Sequence, residues 1–159
     1  MAYVRQAEQA AAEQPAQRSS LLRKALRLDP ANTAAVLATG QQHIHEDNVR
    51  AAVQLWTGHL EQYDDVVIAK ALLAQLGTDP MQGYRSFEKR KDSKPLLRWV
   101  RASLAHAAGL SGLATESLDA LLTEHPRTEF LRTRADWYAE AGQCEQAATY
   151  YRKALDSLS

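Results

Sequence analysis

The chain has a single cysteine, Cys144, in 159 residues. That excludes an internal disulfide framework and any multi-cysteine zinc site. It leaves the compartment open, since a lone thiol is tolerated in reducing and oxidising settings alike. No apolar run approaches the roughly 20 residues that cross a bilayer. The start, Met1-Ala2-Tyr3-Val4-Arg5, lacks the basic-then-apolar pattern of a secretory signal. There is no excess charge of either sign: 19 basic residues meet 19 acidic ones. A global electrostatic case for nucleic acid or an anionic membrane therefore fails, and only local patches remain. Valine and isoleucine are scarce, and no stretch alternates with period two, so no strand is expected. A glycine-rich phosphate loop, a Ser/His/Asp motif and a recognisable carboxylate pair are all missing, which argues against an enzyme. No cofactor is implied.

What is abundant is helix-forming sequence. Ala, Leu, Gln, Glu, Lys and Arg dominate, and these lose little rotamer freedom in a helix. Hydrophobic residues make up 45% of the chain, enough to bury a core. Breakers divide it into ten amphipathic helices, at roughly 3–13, 17–28, 32–46, 48–62, 65–76, 80–91, 95–108, 111–124, 128–141 and 143–157. Asp29-Pro30 stops the second helix, because proline cannot continue one, and Asn32 offers a cap for the third. Gly77 suits a left-handed helix end, Asp79 a cap and Pro80 a first helical position. Gly109, His125-Pro126 and Gly142 divide the remainder. With such short gaps, neighbouring helices must run antiparallel. Two-helix units of about 34 residues, recurring, are the signature of a helical repeat array.

The residues then carry a resemblance. Tyr138, Gly142, Ala147, Tyr151 and Ala154, with Leu131 and Ala135 before them, fall at the spacing of the tetratricopeptide (TPR) motif. Ala102, Gly109, Ala114, Leu118 and Pro126 repeat it one unit earlier, with Ala105 in the tyrosine slot. Val36, Gly40, Ala52 and Trp56 match again, but Glu46-Asp47 replaces the hairpin glycine. The segment from Lys24 to Asn32 resembles the junction of two such repeats. Residues 65–95 fit poorly, and Lys70 sits inside an apolar helix. The chain thus resembles the TPR superfamily over most of its length. The resemblance implies an all-α, right-handed superhelical solenoid of about five antiparallel hairpins. It is read as one domain, 1–159, with an irregular middle at 65–95. The near-immediate helical start and the stop at Ser159 in a helix end read as a piece of a longer bacterial scaffold protein, with Met1 an added start.

The resemblance also implies a function: a protein-interaction scaffold or adaptor that holds a protein or peptide in a concave groove. Its style is similar to that of arrays in envelope or exopolysaccharide assembly. Groove candidates, taken from the first helices of the matched repeats, are Gln41, His45, Trp99, Ser103, His106, Arg132, Asp136 and Glu140. Trp99 has a core reading beside the groove reading. The asparagines and lysines of a chaperone-tail clamp are absent from these helices. A second reading rests on the basic stretch 84–101, with Arg85, Lys89, Arg90, Lys91 and Lys94 among aromatics. It could take RNA or an acidic polysaccharide, against a plain reading as a solvated face. His43 and His45 stand two apart, not the four that places a helical metal pair on one face. Cys144 is expected as a small, half-buried core residue. The last helix is expected to expose Tyr150, Tyr151, Ala154 and Leu158, and so to self-associate.

Overall fold

The computed structural model describes residues 2–10, 15–90 and 94–158. These form ten α-helices and, among the described residues, no strand. In order they are α1 (Ala2–Ala10), α2 (Pro15–Leu28), α3 (Thr33–His45), α4 (Val49–Gln62), α5 (Val66–Leu76), α6 (Pro80–Glu88), α7 (Pro95–Ala107), α8 (Ser111–Glu124), α9 (Thr128–Glu140) and α10 (Cys144–Asp156). The all-helical class is as the sequence predicts, and of the five hairpins expected, four pair as expected: α1 with α2, α3 with α4, α7 with α8 and α9 with α10. One edge moves. Helix α6 ends at Glu88, with Lys89 as its cap, rather than at the expected 91.

The chain divides into two compact units, Met1–Gln75 and Leu76–Ser159. In the first, α1 pairs with α2, α3 pairs with α4, and α2 packs on α3. Small and apolar residues make the seam. Val4, Ala25 and Ala35 form one cluster, and Ala7, Leu22 and Ala38 another. Deeper in, the Trp56 indole lies against Gly40 and donates from Nε1 to the Val36 carbonyl at 3.2 Å. That one bond satisfies the only polar atom of a ring that is 2% exposed. On α5, Ile68, Ala69 and Leu72 are buried while Lys70 is exposed, so the lysine in the apolar run faces solvent.

In the second unit α7 pairs with α8, α9 pairs with α10, α6 packs on α7 and α8 on α9. Leu97, Val100, Leu104, Leu118, Leu121, Phe130 and Ala135 are sealed from solvent. The matched TPR positions Ala102, Ala105, Ala114, Ala147 and Ala154 are all buried. Small side chains there let the paired helices approach closely.

Three hairpins turn by the same device. After α7, Leu110 N–H reaches Ala105 O and Gly109 N–H reaches His106 O; after α9, Gln143 N–H reaches Tyr138 O and Gly142 N–H reaches Ala139 O. This is the Schellman ending, with its left-handed residue at φ 85° (Gly109) and 75° (Gly142). After α3, Asn48 N–H reaches His43 O and Asp47 N–H reaches Ile44 O, with Asp47 at φ 58°. Aspartate fills the glycine slot because its short polar side chain tolerates this region. The expectation for Gly77 fails, since its φ is not positive. The chain leaves α5 by a turn of ordinary backbone, and α6 is started by Asp79, whose Oδ1 accepts from Gln82 N–H at 3.3 Å, with Pro80 first in the helix.

Candidate functional site

Two cross-helix bonds in the second unit tie α7 to α9. Trp99 Nε1 donates to Thr133 Oγ1 at 2.9 Å, and His106 Nε2 donates to Glu140 Oε2 at 2.7 Å. Each joins residues 34 apart. Gly109 and Gly142 are 33 apart, so each side chain on α7 meets the residue just after its counterpart on α9, once near the start of the helices and once near their ends. The Schellman turns end both helices beside the second bond, with His106 next to last in α7 and Glu140 last in α9.

Around that second bond the geometry becomes specific. The His106 ring stacks on Trp137, with centroids 4.3 Å apart and planes within 12°. Trp137 is 8% exposed. Beside it the Arg134 guanidinium lies 4.0 Å from the Tyr138 ring centre and donates to the Tyr138 hydroxyl at 3.1 Å. Its Nε donates to Asp119 Oδ1 on α8 at 2.8 Å. Arg134 is itself buried, so its fixed charge depends on those partners. His106, Trp137, Arg134, Tyr138 and Glu140 line an open cavity of about 460 Å³, together with Ser111, Thr115 and Gln143. It presents a flat aromatic pair, a carboxylate, hydroxyls and an amide.

Of the groove candidates, then, the structure gathers His106 and Glu140, and it buries Trp99. Trp99 is 6% exposed, packs beside Phe130 and spends its N–H on Thr133. Of its two readings, the core one describes it. Ser103 is half-buried, and its Oγ has no partner. Arg132, Asp136 and Glu140 are exposed along α9. Asp136 accepts from the Tyr151 hydroxyl of α10, and this bond holds the phenol above its ordinary pKa. Gln41 and His45 are exposed on α3, in the first unit. Sequence reasoning misses Arg134 and Trp137. In the register that aligns Gly109 with Gly142, Arg134 is the counterpart of half-buried Arg101, which gives no signal that the later arginine is buried.

In the first unit it also misses Asp65. The Asp65 carboxylate accepts from Thr33 Oγ1 at 2.7 Å, from buried His59 Nε2 at 2.9 Å and from Ile68 N–H at 3.2 Å. It caps α5 while holding α3 and α4. Burial pushes its pKa up, but the bonds from Thr33, His59 and Ile68 outweigh that and hold it below the ordinary value. Gln42, next to the predicted Gln41, is buried and donates to Ser19 Oγ and to Glu46 Oε1. It borders a cavity of about 310 Å³ with Leu22, Arg23 and Thr39.

The basic stretch is partly neutralised. Arg98 forks onto Glu124 at 2.6 and 3.1 Å, which lowers the glutamate pKa. Arg101 donates to the Arg90 carbonyl, and the Arg90 guanidinium sits 5.5 Å from the Phe87 ring centre. Arg85, Lys89 and Lys94 are exposed. Lys91 lies outside the described residues.

Two expectations for α10 need correction. Cys144 is exposed, because it is the first residue of its helix and the side facing α9 is occupied by Ala147 and Ala154. The residue expected exposed at 154 is buried for the same reason, and Tyr150 is half-buried, whereas Tyr151 and Leu158 are exposed. Among the described residues no group of His, Cys, Asp and Glu gathers in a form that could hold a metal ion, and no helix is long and apolar enough to cross a membrane.

No protein-family model and no curated protein matches the chain. Two solved structures are similar in their helix arrangement. MamA MSR-1 C2 is 16% identical, with a TM-score of 0.49, over 98% of this chain and 95% of that one. MamA AMB-1 P212121 is 18% identical, with a TM-score of 0.41, over 97% of this chain and 88% of that one.

Proposed function

We propose that the chain is a TPR-type interaction scaffold, and that a partner polypeptide lies along the face of the second unit formed by α7 and α9. One observation carries this reading: the His106–Trp137 stack with Glu140 at its edge, opening on a cavity of about 460 Å³. A half-buried imidazole locked flat against an indole is a rigid platform, and rigid aromatic platforms dominate polypeptide recognition. Glu140 adds a carboxylate that selects for a cationic or hydrogen-bond-donating side chain.

The test is selection from a random displayed-peptide library, followed by affinity measurement at low and high salt. Selected peptides should bind at both, and Glu140→Lys or His106→Ala should weaken them by about tenfold, the scale of a central interface residue. Failure to select any peptide, or binding indifferent to both substitutions, would overturn the reading. Retention of polyanions alone, abolished as salt rises, would move the function to the basic stretch.

A further inference from the structure

We propose that α10 is a self-association surface, on which a second copy of this chain lays its own α10 antiparallel about a two-fold axis. Cys144, Ala148, Tyr151, Leu155 and Leu158 recur at alternating intervals of four and three along α10 and its end, and all five are exposed. Leu155 is 66% and Leu158 71% exposed. That spacing is the seam of a two-helix coil, a stripe on one side of the helix. One repeat earlier the same face of α8 carries Thr115, Leu118 and Leu122, none of them exposed, in a helix packed between α7 and α9, and Leu118 is sealed completely. The face on α10 is therefore of a kind that this fold covers with a helix.

Charge indicates which helix. The solvent-side flank of the stripe carries Glu145 and Arg152, both exposed. In an antiparallel pair this flank meets its own copy running the other way. When Cys144 stands opposite Leu155 of the second copy, and Ala148 opposite Tyr151, Glu145 of each chain comes within reach of Arg152 of the other. The two-fold makes that contact twice, with opposite signs each time, as a self-complementary interface requires. The other flank of the stripe is closed by α9 of the same chain, so only this edge remains open to set the register. The surface is separate from the α7/α9 face and does not rest on the peptide-binding reading.

Sedimentation velocity on the chain across a wide concentration range reads the association. A dimer is expected. Leu155→Glu should weaken it by more than about tenfold, as a charge placed at the apolar centre of an interface does, while helical content and melting stay as in the parent. Glu145→Arg or Arg152→Glu alone should weaken it about threefold, the scale of exposed ion pairs. The two together should restore it. Leu155→Cys should give a disulfide-linked dimer through the native Cys144 of the second copy. A chain monomeric throughout, a dimer indifferent to Leu155→Glu, open-ended polymers, or a double charge swap that fails to recover would each overturn the proposal.

Discussion

The Trp56 indole occupies the space in which any side chain on Gly40 would have to stand. The ring from α4 lies directly on the α3 backbone there, and it is fixed by its bond to the Val36 carbonyl. Alanine is the better helix former by about 1 kcal/mol. Overpacking against a ring that cannot swing away costs about 1–3 kcal/mol or more. Gly40→Ala is thus expected to destabilise the first unit. Gly58, inside α4 with open space where a Cβ would stand, is the control. Gly58→Ala should stabilise by about 0.5–1 kcal/mol. Denaturant melts of the two variants should move in opposite directions.

The left-handed residues at the three Schellman turns should rank by side chain. Gly109→Ala and Gly142→Ala place a Cβ in the left-handed region at φ 85° and 75° and should each cost about 1–2 kcal/mol. Asp47 already stands at φ 58°, so Asp47→Gly should be neutral or stabilise slightly, whereas Asp47→Val should cost as much as the glycine substitutions or more. Equal effects at all three sites in thermal melts would mean that the turn, as described, is not what limits stability.

Much of the fold is legible in the sequence because its punctuation is local. Asp29-Pro30, Asn32, Asp79-Pro80, Gly109 and Gly142 act on the backbone within a turn of themselves, and the helices end beside them. Gly40 with Trp56 is legible as a motif, and the structure supplies the reason for the pairing. What cannot be read is made by residues distant in sequence. Asp65 becomes a hub only when Thr33 and His59 are folded around it, and Arg134 becomes buried only when Asp119 and Tyr138 receive it. Gly77 misleads because glycine permits a left-handed turn without requiring one. Cys144 misleads because composition says that cysteine is buried, while position on the helix decides.

Asp65 should make the first unit acid-sensitive. Its pKa is held below the ordinary carboxylate value in the folded chain. The folded state therefore binds its proton less readily than the unfolded state does. Its contribution is fully present above the unfolded value and disappears as pH falls through the folded one. Asp65→Ala removes the cap of α5 and leaves Thr33 and His59 without their acceptor, at a cost of about 1–3 kcal/mol. The variant should lose stability at neutral pH and show a shallower fall under acid than the parent. A parallel shift of the whole pH–stability curve would remove Asp65 from the acid response.

Arg134 offers the sharpest test of how the second unit is held together. Its guanidinium is buried, with one nitrogen on Asp119, another on the Tyr138 hydroxyl and its plane over the Tyr138 ring. Truncation to alanine removes the stem's packing and the charge together, and should cost about 2–4 kcal/mol. Methionine keeps the stem and drops the desolvated charge, so Arg134→Met should cost less than alanine, about 1 kcal/mol. Lysine keeps the charge but cannot present two donors in one plane, and Arg134→Lys should fall between them. Asp119→Ala leaves the guanidinium buried with only the tyrosine hydroxyl and should cost about 1–3 kcal/mol. In a double-mutant cycle Asp119→Ala should then cost almost nothing on top of Arg134→Met, because the charge it neutralised is gone. Additive losses would mean that the two side chains act separately.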